Sequence, residues 1–374
     1  QQKTQGNESN DDWAKDPASS AQPYNINTDS KGSSKIITTA LSLSPVVGNG
    51  VGSAGAAAVS VLNGSTDALV EQGSQLTAGR LNNTASTDGL LVNVAGGASA
   101  AAGFLSGAGS VSIQTTNKTT KAAIDDSTMT AGVITVDATS NDLDVNLAGQ
   151  ISAGKNAAGL ALAVNHLKNT TGAYIYGSTL YAKEESTGNT ITVKAANEGQ
   201  VYAIGAAVSG GSTAAVNGSM ALNQGTEDVE AIVDEKTDTD TTKNPKRTTL
   251  SNVNSISVTA SDSSGKTAVA GGVQAAGTAA VGGAIAYNEI GSWKVDKDNT
   301  SYNDRKQQLN AELSHADITT AGTDAKIDVT GTDTSTLGTA AAGVGSAGTA
   351  AVEGAADTSL IGRQTHAAMT DTNI

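Results

Sequence analysis

A few short signatures return along this chain in one order, and that recurrence limits what it can fold into more than any other feature. The motif Ile-polar-Val-x-Ala/Gly occurs at Ile134-Thr135-Val136-Asp137-Ala138, Ile191-Thr192-Val193-Lys194-Ala195, Ile256-Ser257-Val258-Thr259-Ala260 and Ile327-Asp328-Val329-Thr330-Gly331. A closing motif, Ala-x-apolar, ends at Val70, Ile124, Ile175, Val233, Leu313 and Met369, so successive copies lie 54, 51, 58, 80 and 56 residues apart. An apolar-Asn pair precedes most copies, at Leu62-Asn63, Val164-Asn165, Leu222-Asn223 and Tyr287-Asn288, with Ile113-Gln114 in the second. Fixed order with variable spacing marks stacked units whose loops absorb the changes in length.

Each unit reads as strands. In Ile134–Ala138 and in Leu143-Asp144-Val145-Asn146-Leu147, apolar and polar residues alternate with period two, and clusters of Ser, Thr, Asn, Asp and Gly bound the runs. Ala-rich runs such as Ala56-Ala57-Ala58 are broken by Gly every few residues, and each Gly costs a helix interior about 1 kcal/mol relative to Ala. The segment Val273 to Asn288 carries small residues on both faces, which predicts close packing on two sides or a narrow interior. Val136, Val193, Val258 and Val329 are expected to form one inward column, with Thr192 on the opposite face. At roughly 25 residues per coil and about 4.8 Å between coils, each repeat would span two coils and the region would make a rod on the order of 65 Å long.

Composition agrees with stacked layers. Aromatic residues are 3% of the 374, with one Phe and two Trp. A compact globule of this size needs more, whereas a stacked array buries only a thin column of Val, Ile, Leu and Ala per layer. Pro is absent between Pro45 and Pro245, as expected where backbone N–H groups donate to a ladder. The absence of Cys excludes disulfides, thiol catalysis and Cys-based zinc sites. The net charge of −14 disfavours nucleic-acid binding, which needs clustered Lys and Arg. The uncharged stretch Ala268 to Ala286 has the length of a membrane span, but its Gly/Ala content and its place within a repeat assign it to strands.

The chain divides into a polar leader at 1–34, without periodicity and partly disordered, and a repeat domain at 35–374. The repeats fall near 36–83, 90–142, 143–200, 201–264, 266–335 and 337–374. Trp13 and Tyr24 would anchor the leader on the first repeat.

Little in the chain suggests reaction chemistry. His166, His315 and His366 lie near different repeat junctions, outside any Ser-His-Asp or metal spacing, and read as surface or turn residues. Asp238-Thr239-Asp240 and Asp296-Lys297-Asp298 alternate carboxylates, yet neither continues into a calcium loop. Gly205 to Gly218 lacks the Lys-Ser/Thr ending of a phosphate loop. No cofactor and no catalytic residue is expected. Two inserts break the repeat length in successive units, at Asp234–Thr249 and Gly291–Asn310. They concentrate mixed charge, and the second adds aromatics. The candidate ligand contacts are therefore Trp293, Tyr302, Asp304, Arg305, Asp238, Asp240 and Arg247, expected to form one patch.

The order Ile-Thr-Val-x-Ala, polar turn, Ala/Gly-rich run, Val-Asn, Ala-x-Ile resembles the repeats of large secreted adhesins of Gram-negative bacteria, the leukotoxin-like and filamentous-haemagglutinin-like groups. The resemblance covers residues 36–374, without any catalytic or ligand motif. It implies an all-β, right-handed parallel β-helix exported by a type V route through an outer-membrane transporter and secreted or held on the bacterial surface. The expected role is a stalk or fibre segment without enzymatic activity, which binds a surface glycan or protein of a host or neighbouring cell and self-associates into a fibre. Two alternatives stand beside it. One is a carbohydrate-active β-helix, a polysaccharide lyase or tailspike-like hydrolase, and the other is a trimeric autotransporter adhesin head.

Overall fold

The computed structural model describes residues 25–47, 49–71, 73–182, 189–237, 245–295 and 301–374, and the side chains of these except 292–295 and 301–304. The described residues are almost wholly strand and contain no helix. The strands fall into six layers. Layer 1 is Asn25–Val46 and Val51–Val70, layer 2 is Arg80–Asp125, and layer 3 is Val133–Tyr176. Layer 4 is Thr190–Asn197 and Gln200–Asp234. Layer 5 is Ser255–Asp262, Gly265–Ala276, Ala279–Ile290 and Gln307–Ser314, and layer 6 is Lys326–Asp333, Thr336–Ala347, Ala350–Ile361 and Arg363–Thr370. Five short strands, Gln75–Thr77, Thr128–Thr130, Thr179–Tyr181, Thr248–Val253 and Ala316–Thr320, form a second parallel sheet between layers.

Each layer pairs in parallel with the equivalent residues of the next repeat. Val70 pairs with Ile124, Ile124 with Ile175, Ile175 with Val233, Val233 with Leu313, and Leu313 with Met369. These are the closing motifs of the sequence, matched one to one. The opening motifs do the same, with Ile134, Ile191, Ile256 and Ile327 in one file. One repeat is therefore one layer. The expected two coils of roughly 25 residues per repeat do not occur, because strands one whole repeat apart hydrogen-bond directly. Six layers at about 4.8 Å give a stack on the order of 25 Å deep, in place of 65 Å.

Two other expectations are corrected. The leader was expected to reach residue 34, but a strand begins at Asn25 and pairs Asn25 to Ser34 with Arg80 to Gly89. The main-chain ladder holds these polar residues, helped by Asn82 donating to Asn27 at 2.8 Å and Thr84 to Asp29 at 2.6 Å. The Leu62-Asn63 pair is also out of file. Gln114, Asn165, Asn223 and Asn288 share a column with Ser60, whereas Asn63 faces solvent beside Asn117.

Within a layer the chain runs out and returns, and the inward side chains of the two arms meet. In layer 2, Asn83 donates to the Ala123 carbonyl, Thr87 bonds Thr120, Asn93 donates to the Ile113 carbonyl, and Ser106 donates to Ser99. The arms enclose two different interiors. Near the base the core is Leu, Ile, Val, Met and Ala, and it includes the Val136, Val193 and Val258 column, with Val329 packed against it. Thr192 lies on the outer face. Towards the tip the buried core consists of ten alanines, among them Ala148, Ala203 and Ala284. Here the sheets lie close. A Cβ built on Gly205 would stand 2.5 Å from the Met220 carbonyl oxygen. The segment Val273 to Asn288 lies in this narrow part, as its small residues suggested.

An Asn ladder crosses the narrow part. Asn165 donates to Asn223 at 2.7 Å and Asn223 to Asn288 at 2.8 Å. Each also donates to a carbonyl of the facing arm, at Tyr202, Thr267 and Lys266 respectively. The remaining corner, before the short strands, needs left-handed backbone. It is taken by Gly73 (φ 76°), Asp126 (47°), Gly177 (51°), His315 (44°) and Asp371 (45°). Gly and Asp tolerate this conformation best. In layer 4 the first insert occupies the corner.

Candidate functional site

The first insert is fastened to the corner by charge. Lys236 and Lys246 pair their backbones at 2.8 and 2.9 Å. Lys236 Nζ reaches Asp125 at 2.8 Å and Lys246 Nζ reaches Asp126 at 2.6 Å, two layers towards the N-terminus. Arg247 reaches the other way, to Asp317 at 3.1 Å and Asp371 at 2.8 Å. His315 bonds Asp234 through Nδ1 at 2.8 Å, which raises its pKa. The bond from Lys246 lowers the pKa of Asp126, and that from Arg247 lowers the pKa of Asp371. Such exposed pairs contribute little singly, but together they tie the insert to layers 2, 5 and 6. Asp238 and Asp240 lie outside the described residues.

The second insert forms an antiparallel hairpin, Ser292–Val295 with Ser301–Arg305, pairing Trp293 with Asn303 and Lys294 with Tyr302. The side chains of Trp293, Tyr302 and Asp304 lie outside the described residues. Arg305 is ion-paired to Asp228, which also accepts from the Gln308 N–H at 2.9 Å. The hairpin leaves the returning arm opposite Gly225, whereas the first insert leaves it at Asp234. The two are thus rooted about nine residues apart, roughly 30 Å along extended strand. Arg247 and Arg305 are both engaged within the chain. His166 and His366 are exposed, and His315 occupies its turn.

Sequence reasoning missed a buried ionisable seam. It runs through the stack where the outgoing arm bends, between the aliphatic base core and the alanine core. Lys118 Nζ meets Asp142 Oδ2 at 2.6 Å, both side chains 7% exposed. Lys266 meets Glu227 at 3.5 Å and the Gly225 carbonyl at 3.4 Å. Asp262 accepts from Gln307 at 2.7 Å, Ser264 N–H at 3.0 Å and Asn197 at 3.3 Å. Asp144, 1% exposed, has no hydrogen-bond partner for either oxygen among the described residues. Burial pushes the Asp144 carboxyl up to about 7; Lys118 opposes the rise, while Asp142 and Glu227 add to it. Burial likewise raises Asp262 to about 6, with Glu227 adding to it.

The seam lies between the two arms, and at its layer 1 end Lys118 and Thr87 line a cavity together with Ser34, Leu62 and Thr66. Among the described residues no cluster of three or more His, Asp or Glu could hold a metal, and no helix is long and apolar enough to cross a membrane. Tyr174 and Tyr176 stack on the outer side of the base with centroids 5.4 Å apart, and the Tyr174 hydroxyl donates to Glu230 at 2.7 Å. Comparison with protein-family models, with curated proteins and with solved structures found no match to this chain.

Proposed function

We propose that the six layers are successive coils of a right-handed parallel β-helix, and that the chain is a non-catalytic segment of a secreted or surface-held bacterial adhesin stalk. The observation that carries this reading is the register. Every closing motif hydrogen-bonds to its next copy over five steps, although the intervening lengths vary with the inserts. Such an array extends by adding units and carries variable loops without disturbing its ladder. Parallel connections of this kind are overwhelmingly right-handed.

In this reading receptor contact belongs to the two inserts, and the partner is a glycan or protein on another cell. The test is to shorten both inserts to the length of the Lys118–Lys121 turn and compare beads coated with parent and variant for binding to cells and to a glycan panel. Loss of binding by a variant with unchanged circular dichroism supports the reading. Equal binding removes the inserts as the contact. Sugar release from polysaccharides by the parent would replace an adhesive role with an enzymatic one.

A further inference from the structure

In the tip half of each layer the usual polarity of a half-buried sheet is reversed. On the outgoing arm the inward positions are small or polar, for example Asn93, Asn146, Ala203 and Ala268, or Ser99, Ser152 and Ser209. The outward positions carry the larger apolar side chains. One outward column is Val94, Leu147, Ile204 and Val269. Another is Ile151, Val208, Val273 and Val344, exposed by 57, 42, 49 and 60%. Between these two ridges runs a shallow file, Gly96, Gly149, Ala206, Gly271 and Ala342. In layers 2 to 6 no charged residue stands in these columns. The outer face of the base, in contrast, carries Asp137, Lys194, Lys121, Lys168 and Glu230.

We infer that this face is an interface between two copies of the chain, joined about a two-fold axis with the ridges of one set against the shallow file of the other. The area suffices. With the next outward column, Ala100, Ala153, Gly210, Ala275 and Ser346, four columns over six layers cover roughly 25 by 28 Å, so two copies would bury about 1,400 Å², within the range of specific stable interfaces. An apolar patch of about 700 Å² also exceeds what monomeric surfaces usually expose. The returning arm also exposes Leu160, Val216 and Val281, but the outgoing arm is the one without an insert. Its breaks at 197–200, 262–265 and 333–336 are two residues long, whereas the returning arm gives off the hairpin just after Ile290. A bilayer is the poorer occupant. The net charge of −14 repels anionic headgroups. This inference is independent of the adhesive role.

The experiment is sedimentation velocity on the whole chain across 1–100 µM, with Val208→Lys/Val273→Lys and, as a fold-preserving alternative, Ile151→Gln/Val344→Gln. Thr192→Lys on the outer face of the base is the control. The parent and the control are expected to sediment as a dimer at 100 µM. Both face variants are expected to sediment as monomers with unchanged circular dichroism, their dissociation constants raised at least tenfold. A parent that stays monomeric at 100 µM overturns the inference. So does association that persists in both face variants, because edge-to-edge pairing would not pass through this face. Flotation of a monomeric parent with phosphatidylcholine–phosphatidylglycerol vesicles, abolished by the lysines, would also overturn it and assign the face to lipid.

Discussion

Lys118 and Asp142 form a 2.6 Å ion pair inside the stack, reaching each other from the returning arm of one layer and the bend of the next. Two groups this buried depend on one another. Removing one leaves the other charged and desolvated, which costs about 3–5 kcal/mol, whereas replacing both by apolar residues of similar size is often nearly neutral. Lys118→Met should therefore lower stability by several kcal/mol in urea denaturation, and Lys118→Met/Asp142→Leu should recover most of that loss. A single variant as stable as the parent would show that the pair is solvated.

The seam also sets a pH dependence. Asp144 and Asp262 titrate near 7 and 6 in the folded chain, above the ordinary carboxylate value of about 3.9. The folded state then binds more protons than the unfolded state between about pH 4 and 7. Stability from these groups is full below about pH 4 and is lost as pH rises through 6 to 7. The melting temperature should be higher at pH 5 than at pH 8, and Asp144→Asn should flatten that difference and raise the value at pH 8. A melting temperature that rises from pH 5 to pH 8 would contradict the account.

Val193 is fully buried in the base column and Thr192 is on the outer face. Val193→Asp buries an unpaired charge and should cost several kcal/mol or unfold the layer. Thr192→Asp should stay within about 0.5 kcal/mol, the usual range for a surface change. Thermal unfolding of the two variants side by side checks which face is inside.

These contrasts show how far the sequence could be read. The repeat register was legible because hydrogen bonding in parallel stacks equivalent residues, and Val70, Ile124 and Ile175 align in the sequence as they do in the ladder. The number of layers per repeat was not legible, because period two fixes neither where a strand bends nor how long an arm runs. Alternation also defines two faces without saying which is inward. In Ile134–Ala138 the apolar face is buried, whereas in Leu143–Leu147 Asp144 and Asn146 are buried and Leu143 faces out. The seam was hidden for that reason, since a carboxylate on an alternating strand ordinarily reads as solvent-facing. The one local signal was the pairing of isolated interior lysines, Lys118 and Lys266, with carboxylates on neighbouring layers.

Close approach of the two arms makes a further test. Gly205 faces the Met220 carbonyl, whereas a Cβ on Gly210 would meet nothing within 4 Å. Gly205→Val should destabilise by about 1–3 kcal/mol or more through overpacking, and Gly210→Val should be tolerated. Similar urea midpoints for the two would mean the tip sheets lie further apart.

The central claim is that one repeat makes one layer, and cross-linking tests it most directly. Thr135 pairs with Thr192, and Thr192 with Ser257, on the outer face. In this cysteine-free chain, Thr135→Cys/Thr192→Cys places two thiols one layer apart, about 4.8 Å, within the span of a disulfide. Thr135→Cys/Ser257→Cys places them two layers apart, roughly 10 Å. Mass spectrometry after mild oxidation should find the disulfide in the first variant and free thiols in the second. Free thiols in the first, as two coils per repeat would require, would contradict the account.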